Sequence, residues 1–174
     1  MTYHDTEWGI PERNSKALFE KLILDGAQAG LSWITILRKR DNYMKAFDGL
    51  DPVKVARYSD AKLETLMKDP GIVRNRLKIL STRSNARAFL RLRNQGIDFS
   101  EFLWGFVGGK PIQNAWKTMD EVPSVSPDAE AMSKALKKEG FNFVGPTIVY
   151  AFMQAVGMVN DHLVDCFRYG ECAQ

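Results

Sequence analysis

Ser126-Pro127-Asp128-Ala129-Glu130-Ala131-Met132-Ser133-Lys134-Ala135-Leu136-Lys137-Lys138-Glu139-Gly140-Phe141-Asn142-Phe143-Val144-Gly145-Pro146-Thr147 is the stretch whose reading decides the fold. Ser126 caps and Pro127 fits a first helical turn, the order a helix start requires. Met132, Ala135 and Leu136 carry the apolar spacing of the helix, and Gly140 stops it. Phe141 to Gly145 reads as a tight hairpin, and Pro146 opens the next helix. That helix, about Thr147 to Val156, is apolar almost all round, so burial is expected. Gly157 ends it.

The same punctuation recurs upstream. Asn14 or Ser15 caps a helix running to about Leu24, with Ala17, Leu18, Leu22 and Ile23 on its apolar face. Trp33, Ile34, Leu37, Tyr43, Met44 and Phe47 carry another stripe. Asp51-Pro52 starts a short helix to about 57, and a second follows at 60–68. A long helix begins near Arg74 and runs to about Arg93. Ser100 is expected to cap the apolar patch 101–107. Residues 108–125 read as loop, and Val159 to Phe167 as a last helix. No segment alternates with strand period. The expectation is an all-α chain, a compact bundle of eight to ten short helices, forming one domain over 1–174.

Bulk properties narrow the function classes. A chain of 174 residues with 45% hydrophobic content can bury a real core. A net charge of +3 permits nucleic-acid binding without demanding it. Two cysteines, Cys166 and Cys172, argue against a disulfide-built secreted domain. No apolar run reaches the roughly 20 residues of a membrane span, and no signal peptide is legible at the start. A soluble cytoplasmic protein with no membrane partner, acting as a monomer, is the expectation.

Chemistry concentrates in Leu22-Ile23-Leu24-Asp25-Gly26-Ala27-Gln28-Ala29-Gly30-Leu31-Ser32-Trp33. One carboxylate lies in an apolar, small-residue run. Gly26 and Gly30 thin the surface so that another molecule can approach the backbone. The alternative is that Asp25 only caps a helix end, with both glycines in turns. Tyr3 and Trp8 lie near the start and must dock somewhere, on the core or in a site. Arg38, Lys39 and Arg40 form a basic cluster, read as a solvated face or as a phosphate contact.

The unit at about 128–157 is a helix–hairpin–helix candidate. Backbone N–H groups at a helix start hold anions, and a hairpin delivering them can grip a DNA phosphate without reading sequence. The usual Leu-Pro-Gly-Val-Gly core of that motif is absent, so an ordinary helical corner remains the alternative. His162 and Cys166, four apart, are read as sharing one helical face and suit zinc. His4 and Cys172 are the other His and Cys residues of the chain. A partly buried histidine and an inert thiol are the alternative. No Ser/His/Asp elbow, P-loop or dinucleotide fingerprint is present. Any chemistry must come from carboxylates, rings and backbone.

Several of these segments match a known pattern together. Tyr3-His4-Asp5-x-Glu7-Trp8-Gly9-x-Pro11, Gln28-Ala29-Gly30-Leu31-Ser32-Trp33, Gly140-Phe141-x-Phe143-Val144-Gly145 and Val159-Asn160-Asp161-His162 run in order over nearly the whole chain. They resemble the 3-methyladenine DNA glycosylase I family, of the helix–hairpin–helix superfamily. The resemblance implies excision of 3-methyladenine from double-stranded alkylated DNA, as part of base excision repair. It implies that Asp25 is the catalytic and base-binding acid, with Trp33, Tyr3 and Trp8 holding the base. Gly30, Leu31 and the hairpin Phe141, Asn142, Phe143, Val144 and Gly145 would contact DNA, with Leu31 as the wedge left in the duplex. His4, His162 and Cys166 match three ligands of one structural zinc.

Four features bear on what the resemblance implies. The family position at 25 is usually a glutamate; Asp25 keeps the charge but reaches about 1.5 Å less. The superfamily aspartate that supports water attack falls at Asn160. No lysine stands at Pro146-Thr147, where lyase-type relatives carry a nucleophile, so base release without strand cleavage is expected. The usual segment before Tyr3, carrying a fourth, cysteine ligand, has no counterpart in this sequence; Cys172 or a water could substitute, or the metal is lost. A non-catalytic module binding damaged or bent DNA is the rival reading.

Overall fold

The helix from Ser15 to Ala27 (α2) is the axis of the molecule in the computed structural model, which describes residues 2–173. Asn14 caps it, its side chain accepting from the Ala17 N–H at 2.9 Å; losing such a cap costs about 1 kcal/mol. Leu18, Phe19 and every residue from Leu22 to Ala27 are buried. A helix enclosed so completely must be surrounded, and it is. It packs against Trp33–Ala46 (α3), Arg76–Asn94 (α6), Phe99–Trp104 (α7) and Pro146–Ala155 (α9).

The remaining helices among the described residues are Thr2–Thr6 (α1), Pro52–Val55 (α4), Asp60–Leu66 (α5), Pro127–Lys138 (α8) and Phe167–Glu171 (α10). The caps at Asp51 and Ser126 follow the sequence reading of those helix starts, and Ser59 caps α5. The patch near Trp104 is capped by Asp98, whose carboxylate accepts from Glu101 N at 3.0 Å, rather than by Ser100. Ser100 is buried, and its N–H donates to Ser15 Oγ at 3.0 Å.

Two expectations fail in the same region. Ile112–Gln113 (β1) and Val159–Asn160 (β2) form a two-residue parallel pair, with Ile112 opposite Val159 and Gln113 opposite Asn160. So short a pairing carries no alternation for a sequence pattern to show. It also removes the helix expected over Val159 to Phe167: the chain leaves β2 as irregular turns and becomes helical only in α10.

The N-terminal segment is sewn along the end of α9. Gly9 N–H donates to the Ala155 carbonyl and Glu12 N–H to the Val156 carbonyl, each at 3.0 Å. Gly157 permits the crossing. Its φ is +75°, and a Cβ there would lie 2.4 Å from Pro11 N. This seam carries α1 over the face of α2 and so completes the site described next.

Candidate base pocket and its flanking clusters

Asp25 lies inside α2, in its last turns, not at a cap. Its side chain is 3% exposed. One oxygen, Oδ1, accepts from Lys21 Nζ at 2.7 Å, one helical turn back; Oδ2 has no partner among the described residues. Burial pushes the Asp25 carboxyl up and the Lys21 ammonium down, and their pairing opposes both shifts. A half-satisfied carboxylate in the interior is costly unless something else uses the free oxygen.

The space beside it is a cavity of about 210 Å³ lined by Tyr3, Trp8, Lys21, Asp25, Gln28, Trp33, Ala151, Gln154 and Ala155. The Tyr3 and Trp33 ring centroids are 5.3 Å apart, with the planes tilted by 42°. Trp33 Nε1 is buried and unpartnered, like Asp25 Oδ2. Burial, followed by the nearby Asp25 and Glu7 charges, raises the Tyr3 hydroxyl well above its ordinary range, so it stays neutral. The residues that carry the rings, one free acceptor and one free donor thus line a common space.

The turn from α2 to α3 is held from outside the stretch. Lys78, on α6, donates to the carbonyls of Ala27 at 2.9 Å and Ala29 at 2.5 Å. A cation at a helix C-terminus satisfies carbonyls that have no helical partner. Beyond this turn Leu31 is 41% exposed, and nothing lies within 4 Å of where a Gly30 side chain would sit.

Gly26 does allow a close approach, but by this chain itself. A Cβ there would lie 3.2 Å from the Phe143 carbonyl oxygen and 3.3 Å from Phe143 Cβ. The hairpin between α8 and α9 is therefore seated on the pocket helix. Asn85 clamps it: its amide donates to the Asn142 carbonyl at 3.1 Å and accepts from the Asn142 N–H at 2.8 Å. Ser133 Oγ donates to the Val144 carbonyl at 2.6 Å. Phe143 has φ +56°, an uncommon conformation for a side-chain-bearing residue. Phe141 and Val144 are 2% and 1% exposed. Their side chains belong to the core, which leaves only their backbone for the expected contact with DNA. The N–H groups of Phe143, Val144 and Gly145 donate to no described residue. They lie beside the uncapped start of α9.

His4, His162 and Cys166 converge as well. Their ligand atoms all lie within 4.8 Å of one another. Cys166 Sγ is 3.7 Å from His162 Nδ1 and 3.9 Å from His4 Nε2. They do not share a helical face, because residues 161–166 are not helical; a turn brings them together instead. Both imidazoles have their tautomers set from behind. His162 Nε2 lies 3.2 Å from the Trp8 carbonyl, which can only accept, and His4 Nδ1 lies 2.8 Å from Asp5 Oδ1. In a neutral ring so held, the nitrogen facing Sγ keeps a free lone pair. Burial holds His162 below its ordinary range, in the neutral form a metal requires. Cys172, buried, is not part of this group.

Comparison with known proteins shows the family. The sequence profile of the methyladenine glycosylase family matches residues 1–169. The chain belongs to that family. It is 51% identical to DNA-3-methyladenine glycosylase 1 of Escherichia coli over 169 residues, covering 97% of this chain and 90% of the relative. It is 48% identical to DNA-3-methyladenine glycosylase of Haemophilus influenzae over 95% of this chain and 90% of that protein. A crystal structure of a 3-methyladenine DNA glycosylase I superposes with TM-score 0.94 at 49% identity, covering 95% of this chain and 91% of that one. A variant of such an enzyme in complex with 3-methyladenine superposes with TM-score 0.92 at 39% identity, covering 95% and 89%. The all-α glycosylase fold read from the sequence is the fold observed.

Of the residues singled out in the sequence, Asp25, Trp33, Tyr3 and Trp8 meet in one cavity. Asn160 does not face it. Its amide is fully engaged, donating to Gln113 Oε1 at 2.8 Å and the Tyr169 carbonyl at 3.0 Å, and accepting from His162 N. In the basic cluster, Arg40 pairs with Glu7 at 2.8 Å and Lys39 donates to the Pro70 carbonyl at 3.1 Å, both structural uses. Sequence reasoning missed Lys21, Lys78 and Asn85. Only Lys21 carried a local signal, its spacing of four from Asp25.

No described helix is long and apolar enough to cross a membrane.

Proposed function

We propose that this chain is a monofunctional DNA glycosylase that releases 3-methyladenine from alkylated duplex DNA. The observation that carries the reading is the unpartnered Asp25 Oδ2 in the ring-lined cavity. An N3-methylated adenine in DNA is cationic and leaves as a neutral base, so a strong general acid is not needed. The protein must extract the nucleotide, at a cost of roughly a few kcal/mol of unstacking, and hold it. Tyr3 and Trp33 stack on the cationic ring, on the order of 1–2 kcal/mol each when desolvated. Asp25 accepts from the exocyclic amine and favours the developing positive charge on the sugar. Leu31 fills the gap in the duplex, and the free N–H groups of 143–145 take a phosphate. Water attacks the sugar carbon, the glycosidic electron pair moves to the base, and the strand stays intact.

The donor set His4 Nε2, His162 Nδ1 and Cys166 Sγ fits zinc with one position open. The two outer hydrogen bonds to Asp5 and the Trp8 carbonyl are the kind that orient metal-bound histidines. Such a zinc supplies cross-linking rather than catalysis. His4 stands beside Tyr3, so fixing α1 to the segment after β2 fixes a wall of the pocket. Pocket, wedge and hairpin all come from one chain, so this reading needs no second copy.

Purified protein incubated with methylated duplex DNA is expected to release free 3-methyladenine above the spontaneous rate without nicking the strand. Binding without release would instead support a non-catalytic damage-binding module. Metal analysis is expected to find about one zinc per chain; none would remove the metal assignment and leave the pocket reading standing.

A further inference from the structure

The pocket already contains a cation. Lys21 Nζ lies 2.7 Å from Asp25 Oδ1, 3.7 Å from the Trp33 ring centroid and 5.6 Å from that of Tyr3. These are the partners a cationic base would use: the carboxylate and the ring faces. With Lys21 in place the pocket is electrically neutral, because the buried pair cancels. A cationic guest must then displace the ammonium or share its carboxylate, whereas a neutral guest meets no such opposition.

The ammonium has somewhere to go. Lys21 also lines a second cavity, of about 190 Å³, that shares Tyr3 and Trp33 with the first. Glu7, Glu12 and Glu20 contribute to its walls, opposed by Arg40. Burial raises the Glu20 carboxyl, against the opposing charges of Arg40 and Lys16. Lys21 lines both cavities, and the Glu7 charge already acts on it, so Glu7 is a second carboxylate for the ammonium, one it would share with Arg40.

We propose that Lys21 is a specificity-determining residue: a resident cation that a positively charged base must displace from Asp25 and Trp33 toward the acidic cavity. The inference rests on the base-pocket reading above. Its consequence is that Lys21 lowers the pocket's preference for cationic over neutral purines, and that its removal unmasks Asp25.

The test is calorimetric titration of two probes at about pH 8, where an accessible carboxylate is ionised. One is 3-methyladenine, neutral there; the other is 3,9-dimethyladenine, a fixed cation that resembles the base still attached to its sugar. In Lys21→Met, affinity for the fixed cation is expected to rise by about fivefold or more relative to that for the neutral base. Lys21→Arg, which keeps the charge, is expected to retain the wild-type ratio. In the double variant Lys21→Met with Asp25→Asn the gain disappears. An unchanged or smaller cation-to-neutral ratio in Lys21→Met overturns the proposal and leaves the base pocket intact. Failure of the unaltered protein to bind either probe removes the pocket reading itself.

Discussion

Two aspartates lie inside this protein to almost the same depth, and they are treated in opposite ways. Asp25 is 3% exposed and Asp161 is 4% exposed. Asp161 is saturated. Asn114 Nδ2 and Trp116 Nε1 donate to Oδ1 at 2.7 and 2.8 Å, and Tyr150 OH and Gln154 Nε2 donate to Oδ2. Those donors tie the loop before α8 to α9 and brace the neighbouring His162. Asp25 has a single partner among the described residues, Lys21, and one free oxygen. A buried carboxylate with every lone pair used is a structural pin. One with a lone pair left over in a lined cavity holds capacity in reserve for a ligand.

The comparison breaks most readily at its structural end. Asp161→Asn turns an acceptor into a donor facing other donors, and is expected to cost about 3 kcal/mol of folding stability. Urea unfolding measures it, and a loss below about 1 kcal/mol would show the pin is not one. Asp25→Asn is expected to do the reverse. Base release should fall about a hundredfold, roughly 2.7 kcal/mol of transition-state stabilisation, with stability changed by about 1 kcal/mol or less. Equal stability losses in the two variants would erase the distinction. Trp33→Ala should weaken binding of free 3-methyladenine about tenfold by removing the ring face. The smallest effect is expected at Leu31→Ala, about three- to fivefold on duplex substrate and none on free-base binding, because this side chain faces outward. A matching loss of free-base affinity would move Leu31 into the pocket.

The sequence carried the helices well where caps and breakers coincide. Asn14, Asp51-Pro52, Ser126-Pro127 and Gly140 all act as their chemistry suggests, because a cap is satisfied by residues two or three positions away. It failed at Val159 to Phe167, where apolar spacing suggested a helix and a distant partner, Ile112–Gln113, claimed the backbone instead. It also offered two readings for Asp25. The helix runs straight through that residue, so the capping alternative falls for a reason outside the segment: the carbonyls that end α2 are capped by Lys78, about fifty residues away.

What the sequence determined by itself is therefore what local physics fixes: an all-helical chain, its helix starts, and a run holding one acid, small residues and a ring. The quoted motifs also implied the family. Only the tertiary structure decided which groups are finished and which are open. Asp161 and Asn160 are closed by partners distant in sequence; Asp25 Oδ2 and Trp33 Nε1 are left unpaired; His4 meets Cys166 across nearly the whole chain; Lys21 lies over a ring that the sequence places twelve residues later. Hydrogen-bond satisfaction and desolvation depend on what surrounds a group in space, and no pattern along the chain records that.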